Sequence, residues 1–368
     1  MATDLAAKTA RLISDFDAVL ALVSYIEHEL EKRIIARHGL TKIESLLPIA
    51  SAYKNMIKRA LPSNQRGRFS KLESLLATLR NDIDNGVRQI RNNMSGHLLQ
   101  INVASIPDNW LFMGHSTFTI LSQDIRAIDA EFRALDPLYP GCIQPPPVKP
   151  TYRAFWRRPD VLGSPSNVRG ISMQVGLWTP DVVAVLPPGG PLDDASIRVL
   201  GLRLSIRQLG FIFLPFWGEG GLETIYERLL IEMSVNDLFS LEEAIFSGNT
   251  QSATPALVDV WAQSSPVHEG AALLAALRAQ IPATVSRWRN SVRNKITAHM
   301  DPDIPAVDLE TSRWPMQVHN LNTEVNRLCN ILGAAARKDP RTLSFVNPAL
   351  AVSHKSMQSQ NIPRWVQT

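Results

Sequence analysis

Residues 70–98 read SKLESLLATLRNDIDNGVRQIRNNMSGHL, and residues 274–299 read LAALRAQIPATVSRWRNSVRNKITAH. Both stretches end in Arg-Asn, four further residues and His, at an offset of 293 − 91 = 202. Upstream of each motif, apolar residues recur at spacings of three and four, which is the signature of an amphipathic helix. These residues are Leu72, Leu75, Leu79, Ile83, Ile90 and Met94, matched by Leu274, Leu277, Ile281, Val285, Val292 and Ile296. The sequence therefore predicts two equivalent long helices that end in the same motif.

A second pair of matching helices follows the two motifs. The apolar stripe Phe118, Leu121, Ile125, Ile128 and Phe132 recurs as Val318, Leu321, Val325, Leu328 and Leu332 at an offset of 200. The change from 202 to 200 falls in the loop after each histidine, where insertions cost little. Two helices that recur in the same order indicate the internal duplication of a helical bundle.

Other local signals predict where further helices begin and end. Residues 4–38 have a helical apolar period that Gly39 can terminate. Thr41 followed by Glu44 forms a capping box that opens a second helix, and Pro48 is expected to bend or break it. Further capping boxes predict helix starts at Ser70 with Glu73, Thr224 with Glu227, and Ser240 with Glu243.

A proline-rich stretch divides the chain. Residues 140–147 read PGCIQPPP, which prevents helix and favours an extended spacer. Residues 171–175 and 182–186 have the composition of short strands. We predict a mainly α protein of two pseudo-symmetric bundles joined by a short, extended, β-containing segment. The predicted divisions are an N-terminal bundle over 1–139, a linker over 140–192, a C-terminal bundle over 193–340 and an extended tail over 341–368.

The composition is that of a globular protein. The chain has 368 residues, of which 45% are hydrophobic and 20% charged, so it can bury real cores and is not disordered. A net charge of +4 is compatible with a polyanionic partner. Cys142 and Cys329 are too few for a disulfide framework and lack metal-ligand spacing, which favours a reducing compartment. The N-terminus lacks a signal-peptide pattern, and the most apolar run, 200–217, is interrupted by arginines and a proline. We predict a cytoplasmic protein with no membrane association, no metal and no cofactor.

The geometry of the motif suggests that each copy supplies half of a site. At about 100° per residue, Arg91 and His97 lie roughly 120° apart around a helix, on opposite shoulders of the apolar stripe. Arg293 and His299 stand in the same relation. If the two bundles pack pseudo-symmetrically through these stripes, two arginines and two histidines converge in one cleft.

The residue types favour chemistry on a phosphodiester. Histidine exchanges a proton near neutral pH, and arginine binds phosphate and stabilises charge on transition-state oxygens. RNA carries its own nucleophile, the 2′-hydroxyl, so the reaction needs no serine, cysteine or metal. The implied reaction is cleavage to a 2′,3′-cyclic phosphate and a 5′-hydroxyl end.

Both motifs resemble the hallmark of the HEPN superfamily, which is Arg, a polar residue, a few variable residues and His near a helix end. Arg91-Asn92 with His97, and Arg293-Asn294 with His299, fit that form. The resemblance covers about 70–135 and 272–335. It implies helical bundles, metal-independent endoribonuclease activity, and a site shared by two HEPN units in a homodimer or a tandem pair. It also implies an RNA substrate and roles such as toxin or anti-phage effector, with a cognate antitoxin or defence-system protein as partner.

Alternative readings remain open at this level. The histidines could satisfy neighbouring helix ends, the arginines could pair with carboxylates, and Asn92 and Asn294 could cap a helix. The rival function is a non-catalytic helical module that binds RNA or a protein, and a regulatory module with relic motifs is a third. Weak candidates for RNA contact are Arg88, Arg153, Arg157, Arg158 and Arg289, which solvated helix faces or an amphipathic linker explain as well. Six other histidines, among them His38, have no ligand-like partner nearby in sequence.

Overall fold

The computed structural model describes residues 2–26, 29–84, 115–150 and 225–246, together with residues 202, 205, 209, 212, 256 and 300. These residues are mainly helical, and no strand occurs among them. The α-helices are α1 (Ala2–Tyr25), α2 (Glu29–Ala60), α3 (Ser70–Asp82), α4 (His115–Leu135) and α5 (Ile225–Phe246), and a 3₁₀ helix spans Ser63–Phe69. The predicted α class is therefore confirmed for this part of the chain.

Helices α1 and α2 form an antiparallel hairpin, and the predicted break at Gly39 is wrong. Helix α1 ends at Tyr25, and α2 begins at Glu29 and continues through Gly39. A Cβ atom on Gly39 would lie 2.7 Å from Val19 Cγ1 and 3.4 Å from Phe118 Cε1. This glycine therefore permits the close approach of α1 and α4 to α2 and does not end a helix.

The predicted start of a helix at Thr41 is wrong as well. Thr41 is buried in the interior of α2, and Pro48 lies inside the same helix without ending it. Proline lacks the N–H that would bond to the carbonyl four residues earlier. The side chain of Pro48 faces solvent, while its neighbours Leu47 and Ile49 are buried. Burial of these neighbours stabilises the helix across the missing hydrogen bond.

Helix α3 begins at Ser70, as predicted, but not through the predicted capping box. The N-cap position is Phe69, and no side-chain hydrogen bond caps it. Glu73 instead accepts a hydrogen bond from Lys58 at 2.7 Å and lies 3.3 Å from Lys54. These contacts tie the first turn of α3 to α2.

The apolar stripes of α3 and α4 pack into one core with the hairpin. Leu72, Leu79 and Ile83 are fully buried. The predicted stripe of α4 is confirmed, because all five of its residues are buried: Phe118, Leu121, Ile125, Ile128 and Phe132. The rings of Tyr53 and Phe132 stack with centroids 4.8 Å apart.

The proline-rich stretch up to residue 149 forms neither helix nor strand, and it is fastened to the bundle. Ile143 N donates to Ser14 Oγ at 2.7 Å, and Cys142 N donates to Asp129 Oδ1 at 2.9 Å. Gly141 has φ of 71°, a conformation that favours glycine. The segment therefore lies along α1 and α4.

Helix α5 corrects another predicted helix start. Ser240 is buried in the middle of α5, so the capping box of Ser240 and Glu243 does not begin a helix. Leu202, Ser205, Leu209 and Ile212 are helical and buried. The two predicted strands, the end of the first motif helix, the second motif helix and the tail lie outside the described residues.

Candidate functional site

The predicted catalytic residues fall in parts of the chain that the structure does not describe. They are Arg91, Asn92, His97, Arg293, Asn294 and His299. The same holds for the weaker RNA-contact candidates Arg88, Arg153, Arg157, Arg158 and Arg289. Their convergence in one cleft therefore stays a prediction.

Helix α3, the described part of the predicted first motif helix, is firmly packed. Leu72, Leu79 and Ile83 of the predicted stripe are fully buried, and Leu75 is partly buried against the same core. Lys71 pairs with Glu131, which adds a contact between α3 and α4. The first turns of the motif helix thus have a fixed direction within the bundle.

Met300, the residue after the second motif, contacts the first half of the chain. Its side chain is 3% exposed and belongs to the hydrophobic core formed by α1, α2, α3 and α4. Its backbone N–H donates to Ser45 Oγ of α2 at 3.4 Å. A residue from the predicted C-terminal bundle is therefore part of the N-terminal core.

A buried cluster of charged side chains joins the two halves of the chain. It consists of four basic residues, Arg11, Arg37, Lys42 and Arg228, and three acidic residues, Asp15, Glu232 and Asp237. They come from α1 and α2 on one side and from α5 on the other. We call this set the inter-half charge cluster.

Asp237 is the acceptor at one end of the inter-half charge cluster. Arg37 Nη2 donates to Asp237 Oδ2 at 2.5 Å and to Ser205 Oγ at 2.9 Å. The Ser205 hydroxyl donates to the same carboxylate oxygen, and His38 Nε2 lies 3.3 Å from it. None of these four residues is more than 4% exposed.

The pKa values of Asp237 and His38 depend on burial and on the neighbouring charges. Burial by itself would raise the pKa of Asp237, but Arg37 and His38 more than offset this effect, so the pKa lies below its ordinary value. Burial lowers the pKa of His38, and Asp237 counteracts this only in part. Arg37 therefore favours the ionised form of Asp237, while burial favours the neutral form of His38.

Glu232 and Asp15 are the acceptors at the other end. Lys42 Nζ lies 2.6 Å from Glu232 Oε2 and 3.3 Å from Asp15 Oδ2. Arg11 Nη2 donates to Glu232 Oε1 at 2.5 Å, and Arg228 pairs with Asp15. Each carboxylate thus contacts two bases, which compensates for the loss of water around it.

The arrangement does not support nucleophilic catalysis by Ser205. An activated serine donates to a general base, usually the histidine. Here Ser205 donates to Asp237, and His38 contacts that same carboxylate. A substrate has no access to a serine that is 0% exposed. The inter-half charge cluster therefore connects α1 and α2 to α5 and does not form a serine-nucleophile site.

Sequence reasoning missed this cluster because its partners lie far apart in the chain. Arg37 and Asp237 are 200 residues apart, and Lys42 and Glu232 are 190 residues apart. One signal was present in the sequence. Glu232 and Asp237 interrupt the largely apolar run of α5, and charges in a helix that is buried all round require partners.

Two kinds of feature are not found in the described part of the chain. No group of three or more His, Cys, Asp or Glu residues there has the arrangement of a metal site. None of the helices in those ranges is both long enough and apolar enough to span a membrane.

Comparison with known proteins gives no relative. No family model matches the chain, and neither a curated protein nor a solved structure shows significant similarity to it.

Proposed function

We propose that this protein is a HEPN-type, metal-independent endoribonuclease whose active site combines two Arg-Asn-x4-His motifs. The observation that carries the proposal is the recurrence of the motif, with its helix and the helix that follows, at offsets of 202 and 200. A toxin or a defence effector is the biological role in which such an activity is expected.

Each motif residue has a stated role in the proposed reaction. One histidine, His97 or His299, removes the proton of the RNA 2′-hydroxyl, and the other protonates the 5′-oxygen that leaves. Arg91 and Arg293 bind the scissile phosphate and stabilise the charge that develops on its oxygens. Asn92 and Asn294 orient the arginines. The oxygen–phosphorus bond to the 5′-oxygen breaks as the cyclic phosphate forms.

The described contacts between the two halves support a shared site. Met300 follows His299 directly and lies in the core of the first half. Because consecutive Cα atoms are 3.8 Å apart, the second motif would end close to α2. A composite site needs such an approach of one half to the other.

The test is cleavage of mixed RNA by the purified full-length protein in EDTA. We expect fragments with cyclic-phosphate and 5′-hydroxyl ends. His97→Ala and His299→Ala should each lower the rate at least 100-fold, since a positioned acid or base contributes about 10²–10⁴-fold. His115→Ala, at the first residue of α4 and outside both motifs, is the control and should retain activity.

Two outcomes would contradict the proposal. Cleavage that survives both histidine substitutions would show that the activity belongs to another site or to a contaminant. RNA binding without cleavage would favour the non-catalytic RNA-binding module, provided that the protein unfolds cooperatively and is therefore folded.

A further inference from the structure

Helices α2 and α5 are equivalent elements of the duplication. Placed at an offset of 195, the apolar residues Leu30, Ile34, Ile35, Leu40, Ile43 and Leu46 fall on Ile225, Leu229, Leu230, Val235, Leu238 and Leu241. Arg33 falls on Arg228 and Ser45 on Ser240 at the same offset. The difference from 202 lies in the connection between these helices and the motif helices, where chain length varies easily.

The two ion pairs between α2 and α5 are related to each other by the same offset. Arg37 pairs with Asp237, and Lys42 pairs with Glu232. Since 232 − 37 and 237 − 42 both equal 195, Arg37 is equivalent to Glu232, and Lys42 is equivalent to Asp237. A two-fold axis between the helices would therefore exchange one ion pair for the other. Residue numbers rise along α2 as they fall along α5, so the helices run in opposite senses, as such an axis requires.

The charges at these equivalent positions have opposite signs. Both positions of α2 are basic, and both positions of α5 are acidic. The four side chains are almost fully buried, with Lys42 the most exposed at 4%. Pairing α2 with the α2 of another copy in the same way would place Arg37 against Lys42. Pairing α5 with α5 would place Glu232 against Asp237. Buried like charges strongly disfavour both arrangements.

We propose that this divergence of charge is a recognition code, in which α2 pairs only with α5. A first half of the chain therefore associates with a second half and not with another first half. The interaction surface is the face of α2 that carries Arg37 and Lys42, and its partner is the acidic face of α5. The code explains how two halves of common origin avoid forming homodimers through this surface. It concerns assembly and does not depend on RNA cleavage.

The test exchanges the equivalent residues in the full-length chain. Variant A, R37E/K42D, gives α2 the acidic residues of α5. Variant B, E232R/D237K, gives α5 the basic residues of α2. In each variant the two helices carry like charges. The quadruple variant combines A and B, so that opposite charges face each other again with reversed sign. The control R59E/R68E changes the net charge as much as variant A does, at two exposed positions.

We expect variants A and B, each alone, to lower the thermal midpoint by about 10 °C or more, because each breaks both ion pairs between α2 and α5 and one further ion pair to α1. The control should shift it little. The quadruple variant should regain the part of the loss that arises between α2 and α5, whereas Arg11 and Asp15 of α1 would still face the reversed charges. Co-expression of A and B under different affinity tags should yield a 1:1 complex, in which the α2 of each chain pairs with the α5 of the other. Light scattering should then give twice the mass of one chain.

Two results would overturn the proposal. The first is a midpoint for A and B equal to that of the control, because like charges would then be tolerated at this surface. The second is a quadruple variant no more stable than the two doubles, together with no complex between A and B. The charges would then not determine which helices pair.

Discussion

Replacing Asp237 by alanine tests the physical basis of the inter-half charge cluster. Asp237 is 0% exposed and accepts hydrogen bonds from Arg37 and Ser205. Its removal leaves the Arg37 guanidinium, which is 1% exposed, without its carboxylate. Breaking one side of a buried ion pair costs about 3–5 kcal/mol. We expect Asp237→Ala to lower the free energy of unfolding by this amount, measured by urea titration followed by circular dichroism.

A double variant separates the effect of the unpaired charge on the free energy of unfolding from the effect of lost packing. Arg37→Met with Asp237→Leu removes both charges and keeps apolar volume, so it should be more stable than Asp237→Ala alone. Arg59→Ala, at an exposed position near the end of α2, should change the free energy by less than about 0.5 kcal/mol. The reasoning is refuted if Asp237→Ala costs less than about 1 kcal/mol, or if the double variant is no more stable than the single one.

Two further predictions concern a close helix contact and pH. Gly39→Ala should destabilise the protein by about 1–3 kcal/mol, because its Cβ would lie 2.7 Å from Val19 Cγ1 and overpacking outweighs the better helix propensity of alanine. In the background of Val19→Ala, which removes Cγ1, the same substitution should cost clearly less in urea titrations, and an equal cost would contradict the packing argument. The pKa of His38 is lowered in the folded state, so the unfolded chain binds its proton first and stability should fall as the pH drops through the ordinary histidine value of 6.5. His38→Gln should reduce the change in thermal midpoint between about pH 7 and pH 5. A change as large as that of the unaltered protein would show that another group causes it.

Local periodicity predicted the elements whose burial depends only on their own sequence. All five residues of the α4 stripe are buried, because a continuous run of apolar residues at spacings of three and four can face only one way. The absence of helix over residues 140–147 was likewise predictable, since four prolines within eight residues remove several backbone donors that a helix needs. These features are encoded within about 20 residues of chain.

Signals that have two meanings were misread without the neighbouring helices. Gly39 can end a helix or admit a close neighbour, and only the position of Val19 in α1 decides between the two. Ser240 can cap a helix or lie inside one, and burial within α5 decides this. The same residue types serve both purposes, so local sequence could not distinguish them.

The sequence by itself determined that Arg-Asn-x4-His occurs twice at an offset of 202, and from this repeat we predict that the chain is duplicated and that each motif ends a helix. It also determined which chemistry those residue types favour. Only the tertiary structure decided that Arg37 and Lys42 of α2 face Asp237 and Glu232 of α5. The reason is that a charge in a helix can be solvated or paired, and the partner that decides this comes from about 200 residues away. A pattern of repeats predicts equivalent elements, but only their contacts show that the two halves carry opposite charges where they meet.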